Sequence, residues 1–226
     1  MTALYYFHSS SDSQRVRLAL GYKQLAWDDR PVAYADDETF FELGVARHVP
    51  VLRLDEGRLL TDSREILRSV DELFPGTPPL VTGRIDAAAW QALMEWRERV
   101  DPILERLRAP ALPAYAEIGA EPDTLAAYKA EVQHRFGMSV EELANDRYSG
   151  YAQFERITRP NALAKHLARS GFYMGEPSIA DMVLAADLYI LQVLDGISLP
   201  LDLLYYFKRV QDTCNIRLSD DLLVSV

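Results

Sequence analysis

A run of hydroxyl side chains near the start of the chain has the residue types and the placement to stabilise an anion. Residues 9–13 read Ser-Ser-Ser-Asp-Ser and follow a short apolar run that predicts a buried strand. Ser10 therefore lies where a helix is expected to begin, and its hydroxyl and the positive end of the helix would act together. In that position Ser10 would donate a hydrogen bond to a charged atom such as a thiolate sulfur, and would not be a covalent nucleophile. The structural alternative is that Ser9–Ser13 only caps the helix, a role that serine favours.

Two later segments place polar groups next to a proline or a helix start. His48, Val49 and Pro50 are consecutive, and His48 would be either a solvent-facing loop residue or a cation for a carboxylate. General frequencies favour a trans peptide bond before Pro50, since only a few per cent of such bonds are cis. Asp62 and Ser63 directly precede an amphipathic helix, so the structural interpretation of this pair is an N-cap.

The composition argues against several other kinds of site. Cys214 is the single cysteine, so neither an intramolecular disulfide nor a cysteine-based metal site is expected. The four histidines stand at no metal-ligand spacing, so no metal is expected. A formal net charge of −10 without a basic stripe disfavours nucleic acid and anionic membrane surfaces. With no membrane-length apolar run and no signal-peptide pattern, we expect a cytoplasmic protein.

The N-terminal third of the chain mixes strand and helix patterns. Apolar spacing and turn residues predict a strand, a helix, an edge strand, a two-stranded hairpin and an amphipathic helix. These elements are Ala3–Phe7, the helix from Ser9–Ser13 to Gly21, Asp29–Val32, Pro50–Leu54 with Arg58–Thr61, and the helix marked by Ile66, Val70 and Leu73. Arg15 and Arg17 of the first helix are expected at the surface, with a contribution to carboxylate binding as the alternative.

A proline- and glycine-rich break at 75–79 separates this part from a sequence with helical patterns almost throughout. Helices are predicted around 93–107, 124–136, 139–169, 178–194 and 200–214. Pro160 should start, kink or break a helix in this region, and Ser178 with Asp181 predicts a capping box. The sequence thus predicts an α/β unit at 1–76, a linker at 77–82 and an all-helical unit at 83–226.

Several stretches resemble the cytosolic glutathione transferases. Ser9–Leu20 is similar to the Ser-Ser-Cys-Ser-x-Arg-Val-Arg run of zeta-type transferases, with Ser10 where that class keeps its catalytic serine. Val49–Leu52 resembles the family's Val-Pro segment, whose proline is cis, and Asp62-Ser63 resembles its acidic-Ser pair. The capping box at Ser178–Asp181 also has a counterpart in the family. Asp12 replaces the cysteine of the zeta-type run, which argues against maleylacetoacetate isomerisation.

The resemblance implies a thioredoxin-like glutathione-binding domain followed by a helical domain, with glutathione as the co-substrate. It implies these roles: Ser10 for the thiolate, Val49 and Pro50 for the cysteinyl backbone, Asp62 and Ser63 for the γ-glutamyl end, and His48 for the glycyl carboxylate. Other transferase classes use a tyrosine near the end of the first strand, so Tyr6 is the rival to Ser10, although core packing is the favoured interpretation of Tyr6.

The resemblance also implies a second substrate, a small and hydrophobic electrophile, bound between the two units. Candidate lining residues are Trp96, Tyr115, Tyr148 and Tyr151. The implied activity is conjugation of glutathione to that electrophile, as in detoxification, by a homodimer.

A second resemblance is carried by 159–162 and 214–219, which are similar to the two-domain glutaredoxin 2 type. Those proteins are monomeric and share the transferase fold. Aligned in this way, Ser10 and Ser13 take the places of the Cys-Pro-Tyr-Cys dithiol, so dithiol redox chemistry is not expected. Two alternatives to conjugation stay open: a non-catalytic member of the fold that binds glutathione or a protein, and a glutathione-dependent lyase or peroxidase.

Overall fold

The N-terminal part of the protein is built on a four-stranded sheet, in a computed structural model that describes residues 1–224. The strands are β1 (Ala3–Tyr6), β2 (Asp28–Pro31), β3 (Val51–Arg53) and β4 (Leu59–Leu60). Their order in the sheet is β2-β1-β3-β4. β1 pairs with β2 in parallel and with β3 antiparallel, and β3 and β4 form the predicted hairpin. Pro31, which cannot donate a ladder hydrogen bond, lies in edge strand β2 as predicted.

Three helices accompany this sheet: α1 (Ser11–Tyr22), α2 (Glu38–Leu43) and α3 (Ser63–Leu73). The apolar spacing of α3 buries Ile66, Leu67 and Val70, as predicted. Helix α2 was not predicted, because a helix of six residues is too short to show a periodic pattern. The arrangement confirms the thioredoxin-like fold expected for this part of the chain.

The remainder of the described chain is helical, as predicted. Its helices are α4 (Ala87–Arg108), α5 (Ala116–Gly119), α6 (Pro122–Phe136), α7 (Val140–Thr158), α8 (Pro160–Ser170), α9 (Ile179–Leu188) and α10 (Leu201–Cys214), with short 3₁₀ segments at Leu112–Ala114 and Tyr189–Val193. Pro160 starts α8 after a left-handed Arg159, so the helix predicted over 139–169 is two helices.

The central helix of this part is α9, in which every residue is buried. The predicted capping box is present at its start, where the Asp181 carboxylate accepts the Ser178 N–H at 2.9 Å. The same carboxylate accepts the Tyr206 hydroxyl of α10 at 2.9 Å. These bonds fix the entry of an apolar helix into the core, which is the structural role expected for this pair.

Helix α1 packs against α3 on one side and against α9 and α10 on the other. Every residue from Ser13 to Leu20 is therefore buried, including Arg15 and Arg17, and their predicted surface location is wrong. Gly21 does not end this helix, which continues to Tyr22. A Cβ atom at Gly21 would lie 2.3 Å from the backbone oxygen of Cys214, so glycine permits the close approach of α10.

The segment after α3 is held to the N-terminal part by one carboxylate. Asp71 accepts the backbone N–H groups of Leu80, Val81 and Thr82, and it also pairs with Lys23 of α1. Although its partial burial acts in the opposite sense, these donors lower the pKa of Asp71. The predicted linker at 77–82 and the unit boundaries on either side of it stay predictions.

Among the described residues, no helix combines the length and the apolar character needed to cross a bilayer.

Candidate functional site

Ser10 lies at the N-cap of α1, directly after the turn that leaves β1. Its backbone is extended, and its Oγ accepts a hydrogen bond from the Ser13 N–H at 3.2 Å. The capping interpretation is therefore confirmed. Because the Ser10 oxygen acts as an acceptor in this bond, the hydroxyl proton stays available for a second partner. The residue is only partly buried, so the cap and a ligand contact are compatible.

The turn that leads into Ser10 is stabilised by hydrogen bonds within the N-terminal part and by hydrogen bonds to a residue of the helical part. The Ser10 N–H donates to the Phe7 carbonyl at 3.2 Å, and the Gln14 side chain donates to the His8 carbonyl at 2.7 Å. The N–H groups of His8 and Ser9 both donate to the carboxylate of Glu117, each at 2.7 Å. Glu117 was not predicted as a site residue, because it is more than a hundred residues from this turn and belongs to no recognised motif.

Tyr6 is buried in the core, and its ring packs edge-on against the His8 ring of this turn with centroids 5.0 Å apart. It is 1% exposed, its hydroxyl donates to Asp29 at 3.2 Å, and its ring packs on the Arg17 guanidinium at 4.6 Å from the centroid. Burial and the neighbouring Asp29 raise the pKa of Tyr6. These contacts support the packing interpretation of Tyr6 over its role as the rival of Ser10.

The Val49–Pro50 peptide bond is cis, as the family resemblance implied. Both residues are buried at the end of the loop before β3, and neither lines the groove that separates the N-terminal part from α4. The Val49 N–H and C=O make no hydrogen bond with another residue among 1–224. They are thus available to pair with an extended peptide, in the manner of an added strand. His48 is exposed, as the solvent-facing interpretation had it, and it borders the groove.

Asp62 and Ser63 form the N-terminus of α3, and the structure assigns them different contacts. Asp62 is the N-cap, and its Oδ1 accepts the Arg64 N–H at 2.7 Å and the Glu65 N–H at 3.3 Å. Ser63 is buried, and its hydroxyl donates to Asp12 at 2.7 Å. The Ser63 proton is therefore directed at Asp12, so the Ser63 hydroxyl faces a ligand as an acceptor only.

Two adjacent cavities border the start of α1. The larger is a groove of about 1000 Å³ between the N-terminal part and α4, bordered by His48, Asp62 and Ser63 on one side and by Arg97, Asp101 and Arg108 on the other. The smaller is a cleft of about 210 Å³, bordered by Ser9 and Ser10 and by Tyr34, Leu112, Tyr128 and Phe136. Ser11 and Asp12 border both cavities, so Ser10 lies at their junction rather than in the groove itself.

The aromatic residues expected around a second substrate lie elsewhere. Tyr115 and Tyr151 are buried in the helical core, and Trp96 donates its indole N–H to Thr158 at 3.2 Å. Tyr148 is 56% exposed beside Gly196. None of these four residues borders the smaller cleft, and Tyr34, Tyr128 and Phe136 take that place. No sequence pattern distinguishes these three, because Tyr34 lies in a loop outside any motif and aromatic residues on a helix such as α6 are equally typical of core packing.

A buried ionic network forms the floor of the larger groove. Asp187 of α9 is fully buried and accepts hydrogen bonds from Arg15 Nε at 2.8 Å and Arg97 Nε at 3.1 Å. Arg108 donates to the Asp187 backbone oxygen at 2.8 Å. Arg15 also pairs with Asp12, and although burial acts in the opposite sense, Arg15 and Ser63 hold the pKa of Asp12 below its usual range. The network thereby joins α1, α3, α4 and α9 around the groove.

Two atoms in the wall of the groove lack partners among the described residues. Asp101 Oδ1 and Arg108 Nε are buried and make no hydrogen bond within 1–224. Both residues border the groove, which places one unpaired acceptor and one unpaired donor at its α4 wall. The groove thus presents groups of both charge signs to a zwitterionic or peptide-like molecule.

The N-terminal part of the chain is similar in sequence to a known domain family. Residues 4–78 match the family model of the glutathione S-transferase N-terminal domain. A maleylacetoacetate isomerase of Pseudomonas aeruginosa is 35% identical over 78 residues, which are 32% of this chain and 37% of that protein. A maleylacetoacetate isomerase of Dictyostelium discoideum is 28% identical over 100 residues, 42% of this chain and 45% of that protein. The matches thus span less than half the length of these relatives.

Solved structures match along almost the whole chain. Glutaredoxin 2 from Salmonella typhimurium, crystallised with glutathione, superposes with a TM-score of 0.80 at 21% identity over 99% of both chains. A glutathione S-transferase of Ceriporiopsis subvermispora, also in complex with glutathione, gives a TM-score of 0.69 at 17% identity over 99% of this chain and 98% of that one. Residues 4–78 thus resemble a glutathione S-transferase N-terminal domain, and the whole chain has the fold seen in the glutathione S-transferase and glutaredoxin 2 structures.

Proposed function

We propose that this protein binds glutathione along the larger groove and conjugates it to a small, apolar electrophile held in the smaller cleft. The observation that carries the proposal is the placement of Ser10. Its hydroxyl proton is free, it stands at the positive end of α1, and it lies at the junction of the two cavities. When bound, glutathione supplies a thiol whose deprotonated form is the nucleophile.

The residues around the groove fit a tripeptide with two carboxylates, one ammonium group and a central thiol. His48, which borders the groove, would face the glycyl carboxylate, and the unpaired peptide group of Val49, the next residue, would bind the cysteinyl backbone beside the groove. Asp62 would accept the γ-glutamyl ammonium group, while the N-terminus of α3 at Ser63 would bind the neighbouring carboxylate. Pro50 would shape this segment through its cis bond. Ser10 would donate its hydroxyl proton to the sulfur and so favour the thiolate over the thiol.

The smaller cleft supports a second substrate with an apolar part. Its aromatic wall contains the rings of Tyr34, Tyr128 and Phe136, and the charged residues Glu105, Arg108, Glu131 and Arg135 also line the cleft. The rings of Tyr34 and Tyr128 meet edge to face, with centroids 5.8 Å apart, which gives this wall a fixed shape. A cleft of about 210 Å³ admits a small molecule only. An electrophile placed here would lie next to the Ser10 hydroxyl.

The second candidate is a glutathione-dependent isomerase. The two curated relatives are named maleylacetoacetate isomerase. Isomerisation would use the same thiolate, which adds to a conjugated double bond and is then released, so Ser10 would keep its role. Turnover of a cis-configured dicarboxylic diketone, without a lasting conjugate, would favour this candidate over net conjugation.

Ser10→Ala is expected to lower kcat/KM for conjugation of an aromatic halide roughly 10- to 100-fold, because a preorganised donor to a developing anion is removed. Ser10→Thr, which keeps both the hydroxyl and the cap, should retain most of the activity. The matched control is Ser13→Ala, which removes a neighbouring hydroxyl that is unpartnered within 1–224 but keeps the N–H that Ser10 accepts. Tyr6→Phe should retain activity, since its hydroxyl is directed at Asp29.

The results of these assays separate the candidates. Full activity in Ser10→Ala together with a loss in Tyr6→Phe would contradict the assignment of the thiolate contact. Glutathione binding without turnover of halides, hydroperoxides or ethers would instead favour a non-catalytic binding protein. A homodimer and a cytoplasmic location also belong to this proposal, and sedimentation of the purified chain would test the first of them.

A further inference from the structure

A carboxylate from the helical part of the protein holds the turn that presents Ser10. In the turn Phe7–Ser10 the two central peptide groups, those of His8 and Ser9, direct their N–H groups at one side chain. Glu117 accepts both, one on each carboxylate oxygen, at 2.7 Å. Bonds from two successive N–H groups to one carboxylate fix the orientation of that part of the turn.

Glu117 is itself fixed from behind by the C-terminal segment. The Glu117 N–H donates to the Asp221 carboxylate at 2.8 Å, and the Ala116 N–H donates to the Asp221 carbonyl at 2.7 Å. The Leu223 N–H donates to the Ala114 carbonyl at 2.8 Å. The short helix α5 is therefore clamped between the Ser10 turn and residues 221–223.

We propose that Glu117 is the residue that positions Ser10: its ionised carboxylate fixes the His8 and Ser9 peptide groups and thereby the direction of the Ser10 hydroxyl. This inference rests on the proposed function of Ser10. Glu117 borders neither the groove nor the smaller cleft, so it acts through the turn and does not touch the substrate. A sequence motif around Ser10 does not specify this contact, because it comes from the other part of the chain.

The contact should depend on pH, since only the carboxylate form accepts two N–H bonds. Burial raises the pKa of Glu117 to about 7, against the opposing effect of the two N–H donors. The neighbouring titratable groups act in both directions. Asp221 of the C-terminal segment raises the pKa of Glu117 further, and it also acts on the partly buried His8, whose pKa burial and Arg17 of α1 lower. Protonation near neutral pH would release one of the two bonds.

The test compares Glu117→Gln with the wild-type protein in the conjugation assay from pH 6 to pH 9. A glutamine can accept only one of the two N–H groups, so kcat/KM at pH 8.5 should fall about tenfold. At pH 6 the two proteins should agree within about twofold, because wild-type Glu117 is then protonated as well. The matched control is Glu121→Gln, an exposed glutamate whose side chain makes no capping bond. It should follow the wild-type profile throughout.

A ratio of kcat/KM between Glu117→Gln and the wild-type protein that is the same at every pH would indicate an effect of packing alone and would overturn the proposal. An unchanged or higher kcat/KM of the variant at pH 8.5 would overturn it as well. The second measurement does not require turnover. The backbone amide resonances of His8 and Ser9 should titrate with a midpoint near pH 7 in the wild-type protein, and this transition should vanish in Glu117→Gln. The same transition in both proteins would contradict the contact. If the wild-type protein proves inactive, the proposed function fails, and the amide titration still decides whether Glu117 holds the turn.

Discussion

Asp187→Ala is expected to lower the free energy of unfolding by about 3–5 kcal/mol, the usual cost of removing one partner from a buried ion pair. Asp187 is fully buried and is the common acceptor for Arg15 and Arg97, while Arg108 contacts its backbone oxygen. The variant would leave buried guanidinium groups without their central carboxylate. Asp12, Asp101 and Glu105 pair with these arginines only from the groove side and cannot replace it.

Urea unfolding followed by circular dichroism measures this effect. The matched control is Asp195→Ala, which removes a fully exposed carboxylate that lies 3.6 Å from Arg147. It should leave the unfolding midpoint almost unchanged, since surface ion pairs contribute little. If Asp187→Ala does not fold, Asp187→Asn keeps the volume and one acceptor and should give a smaller loss. A midpoint in either variant equal to that of the wild-type protein would show that Asp187 does not hold the arginines.

The free energy of unfolding of Glu117→Gln is expected to rise relative to that of the wild-type protein as the pH increases from 5 to 8. The difference between the two should change by up to about 3 kcal/mol. The physical reason is the pKa of Glu117, which burial raises to about 7 from a model-peptide value near 4.5. The folded state then binds a proton more tightly than the unfolded state. The contribution of protonated Glu117 to the free energy of unfolding is therefore fully present below about pH 4.5 and is lost as the pH rises toward 7.

The difference between variant and wild type isolates this group, because every other ionisable residue is common to both proteins. Unfolding free energies at pH 5, 6, 7 and 8 should diverge steadily, whereas Glu121→Gln should stay parallel to the wild type. A constant difference across this range would mean that Glu117 titrates at its ordinary pKa. The variant is thus expected to be more stable but less active at alkaline pH, as is common where an active site carries a buried charge.

The sequence predicted the sheet, its edge strand and the long helices, because apolar spacing and turn residues are local signals. It also predicted Ser10 and Asp62 at helix starts, because the side-chain oxygens of serine and aspartate accept hydrogen bonds from the unpaired N–H groups of the first helical turn. The cis bond before Pro50 is different, since general frequencies favour trans and the prediction depended entirely on family resemblance.

The errors have a common cause, which is the packing of one part of the chain on the other. Arg15 and Arg17 are polar residues on a helix, and such residues are normally exposed. They are buried here because α9 and α10 cover the second face of α1 and supply Asp187 and residues near the C-terminus as partners. Glu117 was missed for the same reason, as its partners lie more than a hundred positions away.

The second-substrate pocket shows a further limit of sequence patterns. Tyr151 follows the apolar spacing of α7 into the core and Tyr115 is buried directly before α5, whereas Tyr34 comes from a loop and Tyr128 and Phe136 from α6. A helical pattern indicates which face is apolar, but it does not indicate whether that face meets a core or a cleft. Whether the apolar face of α6 meets a core or a cleft depends on how α6 contacts the N-terminal part of the chain.

The central claim, that Ser10 stabilises the thiolate of glutathione, is tested most directly by the ultraviolet thiolate absorbance of glutathione bound to the protein across pH. The wild-type protein should show the thiolate near neutral pH, well below the pKa of free glutathione. In Ser10→Ala the transition should move to higher pH, while in Ser13→Ala it should stay in place. No thiolate signal near neutral pH in the wild-type protein, or the same transition in Ser10→Ala, would contradict the account.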